Sequence, residues 1–228
     1  MDPSSLDHVA LWVADREALA RFLCDHLGVH EISRGDDFTL LGADARGGKL
    51  TLFDADGVRE PGVLGRVVLR VRDLEAALDR LPDELSVERP SPGLATFDAP
   101  GGLRLGLMQD DRALDYDLDH LVLRVPQPER TERDLSTLGF AAEGTGRLAV
   151  ADRHVVLEES ANGANGRPLL NHVALLVASA DDAHEEASER GLEIEKVVDA
   201  ENTRAVFVRG PDGIVLEYVE HKPGFSLV

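Results

Sequence analysis

The sequence predicts an α+β protein of four β-α-β-β-β units, paired into two domains that each hold an eight-stranded, incompletely closed, barrel-like sheet with helices outside. Three observations support this prediction. One short strand pattern occurs four times, roughly 55 residues apart. A helix pattern follows each copy. A glycine-containing turn precedes the last strand-like run in the first, second and fourth copies.

The repeated strand covers residues 6–13, 64–71, 118–125 and 170–177. Its third position is polar and reads, in chain order, His8, Arg66, His120 and His172. The first, third and fifth residues after that position are Val or Leu in every copy. Because side chains alternate along a strand, each copy has one constant apolar face and presents its variable polar residue on the other.

The helix that follows each strand has recognisable ends. The predicted N-terminal residues are, in chain order, Asp15, Asp73, Pro128 and Ser179 or Asp181. Gly28 and Gly191 are predicted to end the first and fourth helices, and Pro82 the second. These signals place one helix between the first strand of each unit and its remaining strands.

A unit of three or four strands with one helix buries little surface alone, so the units should pair. The polar stretch 108–116 lies near the midpoint of the chain. It predicts a first domain at residues 1–110 and a second at residues 117–228. On this interpretation the first two units pair with each other, and so do the last two.

The composition argues against several classes of partner. The net charge of −19 disfavours nucleic acid and anionic membranes, both of which bind basic surfaces. The single Cys24 cannot form an internal disulfide, which suits a reducing compartment. The N-terminus lacks the features of a signal peptide, and no apolar run approaches the ~20 residues of a membrane span. We therefore expect a cytoplasmic protein.

The fourth unit carries two side chains that can bind a metal. His172 opposes the apolar face of its strand, and Glu217 opposes the face of Leu216 and Tyr218 in the last strand. The turn Pro211-Asp212-Gly213 starts that last strand. If both strands lie in one curved sheet, the imidazole and the carboxylate can converge inside it. Such a pair is two-thirds of a ferrous facial triad or half of a four-ligand divalent site.

Four such units, a His on the first strand and the ending Pro-Asp-Gly-x-x-x-Glu-Tyr resemble the vicinal oxygen chelate (VOC) superfamily. This superfamily includes glyoxalase I, bleomycin-resistance proteins and extradiol ring-cleaving dioxygenases. The four-unit form is most similar to the extradiol dioxygenases. That resemblance implies a metal in the second domain only, bound by His120, His172 and Glu217. In the first domain Arg66 and Gly106 stand where ligands would be needed, so His8 is interpreted as a structural or cavity residue.

The resemblance implies an Fe2+-dependent dioxygenase that cleaves a catechol-like small molecule with O2, as in aromatic compound catabolism. Two imidazoles and one carboxylate leave three positions of an octahedral Fe2+ for substrate and O2. His154 is similar in position to the acid–base histidine of these enzymes, and imidazole exchanges protons near neutral pH. The sequence differs from the dioxygenase pattern in two ways. Phe207 replaces a tyrosine, and residues 197–204 contain no histidine.

Two alternatives remain open at this point. Glu158 could join the same ligands in a four-ligand site for Mn2+, Ni2+ or Zn2+, as in a glyoxalase-like lyase, isomerase or epimerase. The second alternative is a protein that binds a small molecule without a metal. Assembly into homo-oligomers is common among such proteins, and nothing in these residues tests it. The remaining histidines are expected to be solvated and sit on helix, loop or terminal positions: His26, His30, His184 and His221.

Overall fold

The computed structural model describes residues 1–43, 47–111, 114–160 and 166–223. These residues form sixteen strands and four α-helices, in four successive copies of strand, helix and three strands. The predicted α+β class and the four β-α-β-β-β units are confirmed.

Each unit has the same order of elements. The first consists of β1 (Ser5–Val13), α1 (Arg16–Leu27), β2 (His30–Arg34), β3 (Phe38–Gly42) and β4 (Lys49–Asp54). The second consists of β5 (Leu64–Val71), α2 (Leu74–Leu78), β6 (Glu88–Ser91), β7 (Leu94–Asp98) and β8 (Arg104–Gln109). The third consists of β9 (Asp117–Val125), α3 (Pro128–Ser136), β10 (Ala141–Gly144), β11 (Arg147–Val150) and β12 (Arg153–Glu159). The fourth consists of β13 (Leu170–Leu176), α4 (Ala180–Glu189), β14 (Ile194–Asp199), β15 (Thr203–Arg209) and β16 (Val215–His221).

The helix ends follow the predicted signals. Asp15 accepts a hydrogen bond from the backbone N–H of Ala18 at 2.9 Å, and Ser179 caps α4 in the same way through Asp182. Gly28 ends α1 in the left-handed conformation, with φ of 58°. The second helix is shorter than expected and ends at Leu78, before Pro82.

The units pair into two eight-stranded sheets, but the predicted partners were wrong. One sheet has the order β14-β15-β16-β13-β1-β4-β3-β2 and joins the first unit to the fourth. The other has the order β10-β11-β12-β9-β5-β8-β7-β6 and joins the second unit to the third. The predicted division into residues 1–110 and 117–228 therefore does not follow the sheets, because each sheet contains strands from both halves of the chain.

The physical reason lies in the first strand of each unit, through which all pairing occurs. β1 runs antiparallel to β13, with Val9 opposite Val173, and β5 runs antiparallel to β9, with Val67 opposite Leu121. All four first strands carry the same apolar pattern, so any two of them can form this antiparallel pair. The repeat pattern predicts that units pair, and it contains no preference between neighbouring and distant partners.

The two sheets pack against each other around a continuous apolar core. Phe22 on α1 of the first sheet lies 6.3 Å from Phe97 on β7 of the second, measured between ring centroids. Tyr218 on β16 donates a buried hydrogen bond to the carbonyl oxygen of Leu138, which follows α3, at 2.8 Å. None of the described helices combines the length and the apolar character needed to cross a bilayer.

Candidate metal centre

Three side chains meet on the concave face of the sheet that joins the first and fourth units. His8 comes from β1, His172 from β13 and Glu217 from β16. Nε2 of His172 lies 2.9 Å from Oε2 of Glu217, and Nε2 of His8 lies 3.2 Å from the same oxygen. The two Nε2 atoms are 3.1 Å apart. His172 and Glu217 are buried, and the side chain of His8 is 13% exposed.

The register of the strands brings these residues together. Glu217 lies opposite Ala174 across the β13–β16 pair, and His8 lies opposite Ala174 across the β1–β13 pair. Side chains alternate along each strand, so apolar residues such as Val173 and Leu216 point into the core while the polar ones point into the concave face. The sequence pattern of alternating polar and apolar residues thus determines which side chains reach the site.

Both imidazoles are oriented by the residue that precedes them in the chain. Nδ1 of His8 donates to Oδ2 of Asp7 at 2.8 Å, and Nδ1 of His172 donates to Oδ1 of Asn171 at 3.0 Å. The Nδ1–H groups are thereby held, so each imidazole turns its Nε2 atom towards the site. A register shift in β1 between Leu6 and His8 accompanies this arrangement and marks a bulge next to Asp7.

Asp7 is the centre of a buried polar network behind His8. Its Oδ1 accepts hydrogen bonds from Nζ of Lys49 at 2.9 Å and from Nε2 of His221 at 3.1 Å. Asp7 and Lys49 are both about 2% exposed. A buried carboxylate is stable as an anion only when it is paired and hydrogen-bonded, and here the donors Lys49, His221 and His8 meet this condition. His221 therefore lines the site, contrary to its expected place in solvent.

The short contacts shift the titration of these groups. Burial would raise the pKa of Glu217, but hydrogen bonds from His172 and His8 lower it to about 2. Burial would lower the pKa of His8, but its hydrogen bonds to Asp7 and Glu217 raise it to about 9. Burial lowers the pKa of His172 despite its contact with Glu217. In the metal-free protein these contacts favour the carboxylate form of Glu217 and the imidazolium form of His8.

These three residues have the chemistry and the spacing of a divalent metal site. Imidazole nitrogen and carboxylate oxygen are ligands for Fe, Zn, Ni and Mn ions. Two ligand atoms bound at about 2.1 Å and at right angles to each other lie about 3 Å apart. The three observed separations of 2.9, 3.1 and 3.2 Å agree with that value. The residues therefore fit one divalent cation with three ligands on one face.

Thr51 occupies the place of a fourth ligand. In the fourth unit Glu217 lies opposite Ala174, two residues after His172. In the first unit the same register places Thr51 opposite Ala10, two residues after His8. Thr51 is buried and lines the site. A hydroxyl is a much weaker ligand than a carboxylate, so three strong ligands remain.

A cavity of about 520 Å³ opens onto these residues, a size suited to a small molecule. Its walls are largely apolar and aromatic. The ring centroid of Phe207 lies 5.1 Å from that of His172 in an edge-on arrangement, and Phe53 lies 6.3 Å from it. Trp12, the single tryptophan of the chain, packs on Phe53 and also lines the cavity. These rings exclude water from the imidazole of His172.

The structure does not bring the predicted ligand His120 to this site. His120 lies on β9 in the other sheet, where its Nδ1 contacts Oδ2 of Asp119 at 2.5 Å. Of the four predicted site residues, only His172 and Glu217 meet. The prediction for His120 was wrong because it assumed that the third and fourth units pair.

His154 and Glu158 lie in the same sheet as His120, the sheet that joins the second and third units. His154 is opposite His120 in the β9–β12 register, and its Nε2 contacts Oε2 of Glu143 at 3.1 Å. It cannot serve as acid–base residue for a centre at Glu217. Glu158 forms ion pairs with Arg66 at 3.1 Å and with Arg124 at 3.6 Å, so it is not a fourth ligand of that centre either.

The distant sheet has no equivalent metal centre among the residues that the structure describes. The four corresponding positions are occupied by Arg66, Gly106, His120 and Val156. Only one of these side chains is a good metal ligand, and Arg66 adds a positive charge that would repel a cation. Among the described residues, a candidate metal centre is therefore present only in the sheet formed by the first and fourth units.

His8 is the site residue that the sequence reasoning missed. It was interpreted as structural because no second histidine or carboxylate was found in the second unit. The chain does contain a local signal, since an acidic or amide residue precedes the histidine in the first, third and fourth copies: Asp7-His8, Asp119-His120 and Asn171-His172. That signal identifies His8 and His120 equally well as partners for His172, and only the pairing of units separates them.

A sequence model of the Glyoxalase/Bleomycin resistance protein/Dioxygenase superfamily matches residues 5–91. No curated protein matches the chain significantly. Among solved structures, a Bacillus subtilis protein provisionally described as a dioxygenase has a TM-score of 0.81 at 18% identity, covering 98% of this chain and 87% of its own. The V278E mutant of glyoxalase I from Zea mays has a TM-score of 0.77 at 18% identity, covering 95% and 92%.

A third neighbour is the cppA protein from Streptococcus pneumoniae, with a TM-score of 0.64 at 13% identity and coverage of 93% and 96%. At sequence identities this low, the structural similarity supports a shared fold and nothing more. Members of the superfamily are commonly enzymes that bind a divalent metal. The family model therefore identifies a glyoxalase/bleomycin resistance/dioxygenase (VOC) superfamily domain in the segment that contains residues 5–91, and the remaining units repeat the same β-α-β-β-β fold.

Proposed function

We propose that this protein is a mononuclear non-haem iron enzyme, an extradiol dioxygenase that cleaves the ring of a catechol-like small molecule with O2. The observation that carries the proposal is that the described residues bring together three strong ligands, His8, His172 and Glu217, with Thr51 in the fourth position. Two histidines and one carboxylate with open positions are typical of non-haem Fe2+ oxygenases. A four-ligand site of the glyoxalase type would need a carboxylate at Thr51.

Each residue of the proposed site has a distinct role. His8, His172 and Glu217 hold the metal, and Asp7 and Asn171 keep the two imidazoles oriented through their Nδ1–H groups. A bound Fe2+ supplies Lewis-acid polarisation of the vicinal oxygens of the substrate and the electronic link to O2. Phe53 and Phe207 pack beside the substrate ring and exclude water.

Ring cleavage of a catechol requires a group on the protein that accepts a proton from a substrate hydroxyl. His221 replaces the predicted His154 as the candidate acid–base group, because it lines the cavity and its Nε2 contacts Oδ1 of Asp7. Because Asp7 accepts the Nε2–H of His221, the Nδ1 atom of that ring is the position that can take up a substrate proton.

Oxygen uptake by the iron-loaded protein tests the proposal. Protein reconstituted anaerobically with Fe2+ is expected to consume O2 when catechols are added and to form a yellow ring-cleaved product. Thr51→Glu should abolish this uptake while the protein still binds Zn2+, since a second carboxylate would add a fourth ligand at a position that substrate and O2 require. Thr51→Gln, which has a similar size without the charge, is the matched control and should keep most of the uptake.

Two outcomes would refute the proposal. The first is the absence of O2 uptake across catechols of varied substitution, in protein shown by elemental analysis to hold one Fe2+ per chain. The second is an oxygen-independent conversion that Thr51→Glu enhances, which would identify chemistry of the glyoxalase type instead.

A further inference from the structure

One row of residues crosses the concave face of the sheet from a cation to the metal ligands. Lys196 on β14 lies opposite Phe207 on β15, and Phe207 lies opposite Glu217 on β16. Lys196 is therefore two strands from Glu217. Neighbouring strands are about 4.8 Å apart, so their Cα atoms are about 10 Å apart. A six-membered ring with one substituent, bound to a metal at Glu217, has the length to span this gap.

Lys196 faces the cavity rather than a neighbouring carboxylate. Its Nζ lies 4.2 Å from the ring centroid of Phe207, the same ring that packs edge-on against His172. In the described part of the chain no carboxylate lies within 4.0 Å of the Lys196 ammonium.

The other charges that line the cavity are already engaged or lie elsewhere. Lys49 and Asp7 form a buried ion pair, and Glu217 contacts the two histidines. Glu201 lies at the turn between β14 and β15, outside the row that leads to Glu217. Lys196 is thus the charged side chain best placed to contact the end of a bound ring that points away from Glu217. In a protein of net charge −19, an anionic ligand needs such a local cation to bind.

We infer that the substrate is an aromatic vicinal diol that carries an anionic substituent such as a carboxylate, and that Lys196 selects it. The vicinal-diol part of this inference rests on the proposed function. The ring packs between Phe53 and Phe207, and the substituent points along the row towards the ammonium of Lys196. Lys196 is a specificity-determining residue and takes no part in the ring-cleaving step.

Binding of matched ligands to redox-silent protein tests the inference without requiring turnover. The protein is loaded with Zn2+ and titrated in a calorimeter with 3,4-dihydroxybenzoate and, separately, with its methyl ester. The acid is expected to bind about twofold to fivefold more tightly than the ester at low salt, because an exposed ion pair contributes up to about this much. The preference should shrink at high ionic strength, where exposed charges are screened.

Two variants localise the effect. Lys196→Gln is expected to remove the preference for the acid while leaving the affinity for the ester within about twofold. Lys222→Gln makes the same change in net charge outside the cavity, at a side chain that pairs with Asp199, and should keep the preference. Neither variant alters a metal ligand, so Zn2+ content should remain at one per chain in both.

The outcomes separate this inference from the proposed function. Equal affinities for acid and ester in the wild-type protein, a preference that survives Lys196→Gln, or binding of neither ligand would overturn the inference, even if catechols drive O2 uptake. A preference for the acid that depends on Lys196, in a protein that never consumes O2, would support the selection by charge and refute ring cleavage.

Discussion

Asp7 orients the imidazole of His8 from the side that faces away from Glu217. It accepts the Nδ1–H of His8 and is held in turn by Lys49 and His221. Replacing the carboxylate behind a metal-bound histidine typically lowers metal affinity about 10-fold to 100-fold. We expect Asp7→Asn to weaken Zn2+ binding by this amount, measured by competition with a chromophoric chelator.

The other sheet offers a matched control for that substitution. Asp119 contacts His120 through the same pair of atoms and lies near Arg70, at 3.8 Å from its Nε. Asp119→Asn therefore disturbs a similar buried network without touching the proposed centre. It should leave Zn2+ affinity unchanged, and an equal loss in both variants would mean that folding rather than His8 is affected.

The raised pKa of His8 makes the stability of the metal-free protein depend on pH. A folded-state pKa of about 9 lies above the value of 6.5 for an unfolded chain, so the stabilising contribution is complete below pH 6.5. It is lost as the pH rises through 9. In chelator-treated protein, the free energy of unfolding in urea should fall by up to about 3 kcal/mol between pH 6.5 and 9.

His8→Gln is the control for that titration. Glutamine keeps a polar side chain at the site and cannot be protonated in this range. Its unfolding free energy should vary little between pH 6.5 and 9. An unchanged pH dependence in His8→Gln would assign the effect to another group, such as Cys24, whose pKa is also raised by burial.

At the level of single elements, the end of α1 is stabilised by a contact that only glycine permits. A Cβ atom at Gly28 would lie 2.9 Å from the ring of Tyr116, in addition to the strain of φ at 58°. A Cβ atom at Gly191, where φ is 65°, would meet no atom within 4 Å. Gly191→Ala should cost about 1 kcal/mol for the left-handed backbone alone. Gly28→Ala should cost about 1 kcal/mol more, because Tyr116 has to move.

Thermal or urea unfolding of the two variants measures this difference directly. Equal losses would mean that the Tyr116 ring adapts freely and that the junction between α1 and β9 is loosely packed. A larger loss at Gly28 identifies that junction as one of the contacts that fix the two sheets relative to each other.

Secondary structure was predictable from local signals, and the features that shape the site were only partly so. Val9, Leu11 and Val13 define a strand face by alternation, and Asp15 and Gly28 mark the helix ends by local hydrogen bonding and backbone geometry. The bulge beside Asp7 depends on the partner strand and leaves no local signature. Consequently His172 and Glu217 were identified from their own unit, whereas the role of Asp7 was not.

At the scale of the whole molecule, the pairing of units decides which histidine completes the centre. The proposal requires that His8→Ala lowers Zn2+ affinity at least about 100-fold and that His120→Ala leaves it unchanged. Metal content after dialysis and competition with a chelator measure both. Loss of metal in His120→Ala with retention in His8→Ala would instead support the pairing of the third and fourth units.

No local pattern could have distinguished these two pairings. Both His8 and His120 occupy the third position of the same repeated strand, and both follow an aspartate. The antiparallel contact between first strands is chemically similar in all combinations, as Val9 opposite Val173 and Val67 opposite Leu121 illustrate. The choice among partners depends on the summed packing of both sheets, which short-range reasoning does not include.

The pairing of the first unit with the fourth also determines when the proposed metal centre can form during protein synthesis. Glu217 on β16 is synthesised about 200 residues after His8, which takes about 10 to 40 seconds at about 5 to 20 residues per second. Until β13 and β16 have been synthesised, β1 lacks its antiparallel partner and the carboxylate of Glu217 is absent. The nascent chain therefore cannot bring the three proposed ligands together. The proposed centre can accordingly bind a cation through all three side chains only after β16 has been synthesised and has paired with β13.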